Sequence, residues 1–186
     1  MNALVVQLFW ATLFAAQGAY ICCTSRSMAK LSSVLPVFDV HFTVHNLLHV
    51  AFAALVHNSQ FRLAEVALVC DLLNLLAAYF CHAHGPWLEH VSVVSGPLSW
   101  VSVAVLWNGS MMVPQRESLV AAILGTIVIW FILVEAIVCG IAYKDYTMTL
   151  FLSVLSGAIG MGQFHLMGGS NADNEHSMPL IILVVQ

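Results

Sequence analysis

Residues Val93 to Val113 read VVSGPLSWVSVAVLWNGSMMV, with no Asp, Glu, Lys, Arg or His among them. The stretch is long enough to cross a bilayer as a helix, which takes about 20 predominantly apolar residues. It is not uniformly greasy. Gly96-Pro97 falls near its start, Trp100 and Trp107 stand two turns apart, and Asn108-Gly109-Ser110 lies near its end. Breakers and polar groups inside a lipid-embedded helix have to be satisfied by neighbouring helices. The stretch therefore predicts the centre of a bundle.

Composition extends that reading to the whole chain. Of 186 residues, 61% are hydrophobic and 8% charged, with a mean hydropathy of +0.93. Soluble domains average about 45–50% apolar and about 25% charged. The expected class is an all-α, polytopic transmembrane bundle forming a single domain over residues 1–186, with the lipid bilayer as its first partner. Net charge is −4 and the five basic residues are scattered singly, so nothing suggests a nucleic-acid partner.

About six spans are expected, at residues 2–23, 39–57, 62–81, 92–113, 118–141 and 147–164. The first lacks the basic start and short core of a cleaved signal peptide. Arg26 and Lys30 follow it as the most basic loop, which the positive-inside rule assigns to the cytosol, leaving a lumenal or extracellular amino terminus. Asn58-Ser59-Gln60 is so short a link that its flanking helices must be antiparallel neighbours. Gly157-Ala158-Ile159-Gly160-Met161-Gly162 offers small residues against which another helix could pack closely. Residues 165–178 read as a polar tail. Met178 to Gln186 opens an apolar run too short to cross, so the chain is expected to stop at the start of a truncated seventh span.

Histidine spacing gives the sharpest chemical signal. His41, His45 and His49 recur every four residues and share a helix face. His57 follows, and His82, His84 and His90 gather around the third loop. Antiparallel helices would return His82 and His84 to the end where His41 lies. A metal set of His41, His45, His49, His82 and His84, holding iron, copper, zinc or haem, is then geometrically open. Neutral imidazoles hydrogen-bonded between helices are the plainer expectation, and no cofactor is expected.

Glu65, Asp71 and Glu135 lie within apolar runs, where an ionisable group is costly and invites a functional reading. As catalytic candidates they would serve as acids towards a lipidic substrate. The structural alternative pairs Glu65 with Arg62 and Asp71 with Asn74 across one turn, leaving Glu135 without a local partner. The sequon Asn108-Gly109-Ser110 falls inside a predicted span, beyond the reach of glycosylation. The five cysteines have no metal-type spacing. Cys22-Cys23, closing the first span just before Arg26, admits S-acylation beside the plainer reading of membrane-buried thiols.

Three blocks carry a resemblance: RLAEVALVCDLLNLLAAYF (Arg62 to Phe80), VSGPLSWVSVAVLWNG (Val94 to Gly109) and FILVEAIVCGIAYKDYTMTLFLSVLSGAIGMGQF (Phe131 to Phe164). In these the chain resembles an uncharacterised fungal family of multi-span membrane proteins, a domain of unknown function. The resemblance implies a membrane bundle and a fungal source, and carries no activity, cofactor or catalytic residue. Some members bear an automatic label as a membrane subunit of ATP synthase. A rotor subunit is a two-helix hairpin and a proton-channel stator needs an arginine deep in a span. Here Arg62 and Arg116 lie at predicted helix ends and Arg26 in a loop, which argues against that label.

The leading functional expectation is a non-catalytic accessory or assembly component of an ER-like endomembrane or the plasma membrane, with membrane-protein partners or further copies of itself. A membrane-embedded enzyme on a lipid, isoprenoid or secondary-metabolite substrate is the alternative, either acid-catalysed (cyclase- or isomerase-like) or dependent on a His-bound metal. A transporter or channel subunit is the third, resting on the Gly-Pro interruption.

Overall fold

The computed structural model describes residues 3–28, 37–81, 87–112 and 119–170, apart from the side chains at 3, 24–28, 37–39, 81, 89, 110–111, 119–129 and 162–170. Among the described residues every regular element is a helix. In order they are α1 (Ala3–Met28), α2 (Val37–His57), α3 (Phe61–Cys81), a short α4 (Trp87–Glu89), a π-helical segment (His90–Ser95), α5 (Gly96–Met111), α6 (Leu119–Ile141) and α7 (Tyr146–Ser170). Among the described residues, four segments are long and apolar enough to cross a membrane: Leu4–Cys23, Val40–His57, Phe61–Phe80 and His90–Gly109. Shorter apolar stretches, Trp130–Ile141 and Tyr146–Met161, fall in α6 and α7.

The organising stretch does lie at the centre. In His90–Gly109, 72% of the segment is buried, against 22%, 11% and 33% for the other three. The outer helices instead present large apolar side chains outward, among them Val50 at 68%, Leu73 at 62% and Trp130 at 61% exposure. Such surface is costly in water and matched in hydrocarbon.

Successive helices alternate in direction. Gln17 and Tyr20 of α1 meet Ser92 and Phe42, so the carboxyl end of α1 lies with the starts of α2 and of the central helix. Asn108 reaches the Phe61 carbonyl, placing the end of α5 over the start of α3. Asp145, between α6 and α7, returns to Ser95 and His90.

Two turns show how little chain the reversals need. After α2, Ser59 takes φ 58°, its N–H bonding Val56 O and that of Gln60 bonding Leu55 O at 2.9 and 2.8 Å. This is a Schellman stop, with a serine in the left-handed position where glycine is usual. The second turn places Lys144 at φ 56°. Gly140 lets α7 come close there, because a Cβ on it would stand 2.9 Å from Thr149 Oγ1.

Gly96-Pro97 does not break the central helix as the sequence suggested. One π turn, His90–Ser95, precedes it and the chain runs on into α5. The reason is local. Proline has no N–H, so the carbonyl five residues back, Ser92 O, has no donor of its own helix to complete the π pattern. Gln17 Nε2 donates to it from α1 at 3.4 Å. Gly96 fits a tight crossing, where a Cβ would meet Leu13 Cδ1 at 2.6 Å and Val91 O at 2.9 Å.

Several boundaries differ from the sequence reading. Arg26 is in the last turns of α1 rather than a loop, His90 is helical rather than in the third loop, and α7 continues through residues 165–170 of the expected polar tail. Apolar runs mark where lipid ends, and a helix satisfies its own backbone beyond that level. Among the described residues, nothing outside their own helical turn lies within 4 Å of where a Cβ on Gly157 or Gly160 would stand. Residues 171–186, with the expected start of a seventh span, and His82 and His84 lie outside the described residues.

Candidate functional site: buried polar pairs between the helices

The polar residues of the spans meet in pairs across helix interfaces. On the antiparallel α2–α3 pair, His41 Nδ1 donates to Asn74 Oδ1 at 2.8 Å, and Asn74 Nδ2 returns a bond to the His41 carbonyl at 3.1 Å. That return bond fixes the amide orientation, and so the Nδ1–H tautomer of His41. One turn on, His45 Nδ1 donates to Asp71 Oδ2 at 2.9 Å, with both residues buried. His49, a further turn along, contacts aromatic rings. Its ring centroid lies 5.0 Å from Trp10, 5.7 Å from Phe52 and 5.8 Å from His45. Its Nδ1 is buried without a hydrogen-bond partner.

The other two carboxylates are held by the central helix. Asn108 Nδ2 donates to Glu65 Oε2 at 2.8 Å and to the Phe61 carbonyl at 3.0 Å. Ser102 Oγ donates to Glu135 Oε1 at 2.8 Å. The same-helix pairings expected from spacing are therefore corrected. Asp71 binds His45 rather than Asn74, and Glu65 binds Asn108, with no Arg62–Glu65 ion pair among the described residues. In lipid, a partner on another helix satisfies both groups and fastens two helices together, which a neighbour on the same helix cannot do.

Asp71 Oδ1, Glu135 Oε2, Asn108 Oδ1 and Trp100 Nε1 are also buried without a partner. The three carboxyl pairs thus each keep one buried, unused oxygen. No group of three or more His, Cys, Asp or Glu among the described residues is placed to hold a metal ion. Of the five candidate ligands, His41, His45 and His49 are accounted for above.

A further polar cluster, missed from the sequence, sits where α6 turns into α7. Asp145 Oδ2 accepts from Ser95 Oγ at 2.8 Å and from His90 Nε2 at 2.9 Å, while Oδ1 accepts the Met148 N–H at 3.0 Å. Asp145 is thus the N-cap of α7 and a latch onto the π segment. Burial, the largest single influence, pushes its pKa up. The hydrogen bonds from His90, Met148 and Ser95, with the charge of His90, outweigh it and hold the carboxyl below the usual carboxylate range. Tyr79 and Tyr143 pack around the cluster, with ring centroids 5.6 Å apart and Tyr79 5.7 Å from His90. The cue in the sequence was Asp145 just before α7, a helix N-cap signal.

Residues 122–167 match the model of a family described as Fungal protein of unknown function (DUF1774). The Phe131 to Phe164 block lies inside that match, whereas the Arg62 to Phe80 and Val94 to Gly109 blocks lie outside it. The matched segment includes Glu135 and the Asp145 latch, whose partners Ser102, His90 and Ser95 lie outside it. No curated protein and no solved structure matches the chain.

Proposed function

We propose that this chain is a six-pass integral membrane protein of an endomembrane, acting as a non-catalytic accessory or assembly component. Alternating helix directions and the outward apolar faces of α6 and α7 support counting both as spans. That arrangement puts Arg26 and Lys144 at one end, against Arg62 at the other. The positive-inside rule then favours a cytosolic Arg26 end and a lumenal amino terminus. Membrane-protein partners, or further copies of the chain, would pack on the outer helices.

One observation carries the functional reading. Glu65, Asp71 and Glu135 each engage a side chain of a neighbouring helix. Carboxyls so engaged clamp helices, and their removal acts on assembly before chemistry. The unused oxygens of Asp71 and Glu135 support a second reading, an acid acting on a lipidic substrate. The transporter reading loses its main support, because the central helix passes Gly96-Pro97 unbroken.

Glu135→Gln separates the two. It keeps an acceptor for Ser102 and removes the acidic proton. In a host lacking the chain, accessory function predicts that Glu135→Gln complements whenever its protein level equals wild type. A folded variant at wild-type level that fails to complement, with a lipid-soluble metabolite lost, would sink the accessory reading in favour of an enzyme.

A further inference from the structure

The thiols divide by position. Cys139 is buried, whereas Cys22, Cys23 and Cys70 are exposed. Cys70 lies midway along the Phe61–Phe80 segment, at hydrocarbon depth. Cys22 and Cys23 close the Leu4–Cys23 segment, one turn beyond Gln17 and Tyr20, whose contacts with Ser92 and Phe42 fix the level of that end of the bundle. Exposed Tyr143 and Lys144 emerge at the same end, and Arg26 and Lys30 follow in sequence. Two adjacent exposed thiols therefore close the first apolar segment, at the end of the bundle that also carries Lys144.

We propose that Cys22 and Cys23 form a vicinal S-acylation site on the cytosolic face. The proposal rests on the sidedness argued above. The co-reactant is a long-chain acyl-coenzyme A, delivered by a membrane acyltransferase. The cysteine thiol gives up its proton, and its sulfur attacks the thioester carbonyl to form a new S–C bond. The coenzyme A sulfur–carbon bond breaks and coenzyme A leaves as the thiol, carrying the proton. One thioester replaces another with no redox change. The acyl chain then enters the bilayer alongside the outward apolar face of α1, where Phe14 and Ile21 are exposed. Depth excludes Cys70, since the acyl donor's charged headgroup cannot descend to mid-span.

The test uses the full-length chain in fungal membranes, with a glycosylation sequon appended to the amino terminus to report sidedness. Free thiols are blocked, thioesters are cleaved with hydroxylamine, and the released thiols are tagged with a polyethylene-glycol maleimide. The expected result is a glycosylated tag with a two-step mobility shift. The shift should fall to one step in Cys22→Ser or Cys23→Ser, vanish in the double variant, and persist in Cys70→Ser. A glycosylated chain without a hydroxylamine-dependent shift overturns the acylation proposal while leaving the topology standing. An unglycosylated tag overturns the topology and the proposal with it. A shift that survives in the double variant overturns the assignment to these two cysteines.

Discussion

Replacing Asp145 by Ala gives the sharpest test of how the bundle is held together. The substitution removes three hydrogen bonds from one side chain, those of Ser95, His90 and the Met148 N–H. Loss of an N-cap costs about 0.5–2 kcal/mol. A buried donor left without an acceptor costs about 1–3 kcal/mol; Ser95 becomes such a donor, and the half-buried His90 loses its acceptor as well. Their costs overlap, since a serine hydroxyl can turn to another acceptor and water can reach this end of the bundle. We expect a loss of about 3–4 kcal/mol. Asp145→Asn keeps Oδ1 for the Met148 N–H and should lose about half as much. The assay is unfolding of detergent-solubilised protein, followed by size-exclusion fluorescence on heating and by denaturant titration. Sign matters for pH. A carboxyl whose folded pKa is depressed contributes stability that is fully present above its unfolded value of about 3.9 and lost as pH falls through the folded value. Wild type should therefore be level from neutral pH to about pH 4 and weaken below it, with a shallower acid limb in Asp145→Asn. A loss below about 1 kcal/mol in Asp145→Ala, or an unchanged acid limb in Asp145→Asn, would refute the latch.

Other substitutions probe the rest of the frame by the same unfolding assay. Gly96→Ala drives a Cβ against Val91 O and Leu13 Cδ1 and should cost about 1–3 kcal/mol, as overpacking does; an unchanged midpoint would show that the crossing is loose. Gln17→Leu leaves Ser92 O without its donor and should cost about 1–2 kcal/mol. In Gln17→Leu/Pro97→Ala the restored N–H should recover part of that loss, and no recovery would refute the account of the π turn. Ser59→Gly relieves the left-handed position in the α2–α3 link and should stabilise by about 0.5–1 kcal/mol; destabilisation would count against the Schellman geometry.

The frame was legible because apolar length and punctuation are local signals. The central position of the stretch that begins at Val93 followed from the need to satisfy its breakers, and Asn58-Ser59-Gln60 left no alternative to an antiparallel pair. The partners were not legible, because spacing along one helix was used to pair groups that meet between helices. Arg62 and Glu65 share a face, yet Glu65 turns to Asn108, 43 residues on. Depth was the usable cue. Glu65 lies one turn inside the start of α3 and Asn108 one turn from the end of α5, so an alternating bundle brings them level. Glu135 and Ser102 match by the same count. The π turn had no such cue, since Gly-Pro announces only a defect and its repair depends on Gln17 of another helix.

The pairing pattern has a consequence for biosynthesis. As the chain leaves the ribosome, α2 and α3 emerge as a hairpin that already contains His41 with Asn74 and His45 with Asp71. That unit can enter lipid with those groups matched. Glu65 cannot be matched so early, because Asn108 has yet to be made. The insertion machinery must shelter one carboxyl until the central helix arrives, whereas Glu135 emerges after Ser102 and finds its partner waiting.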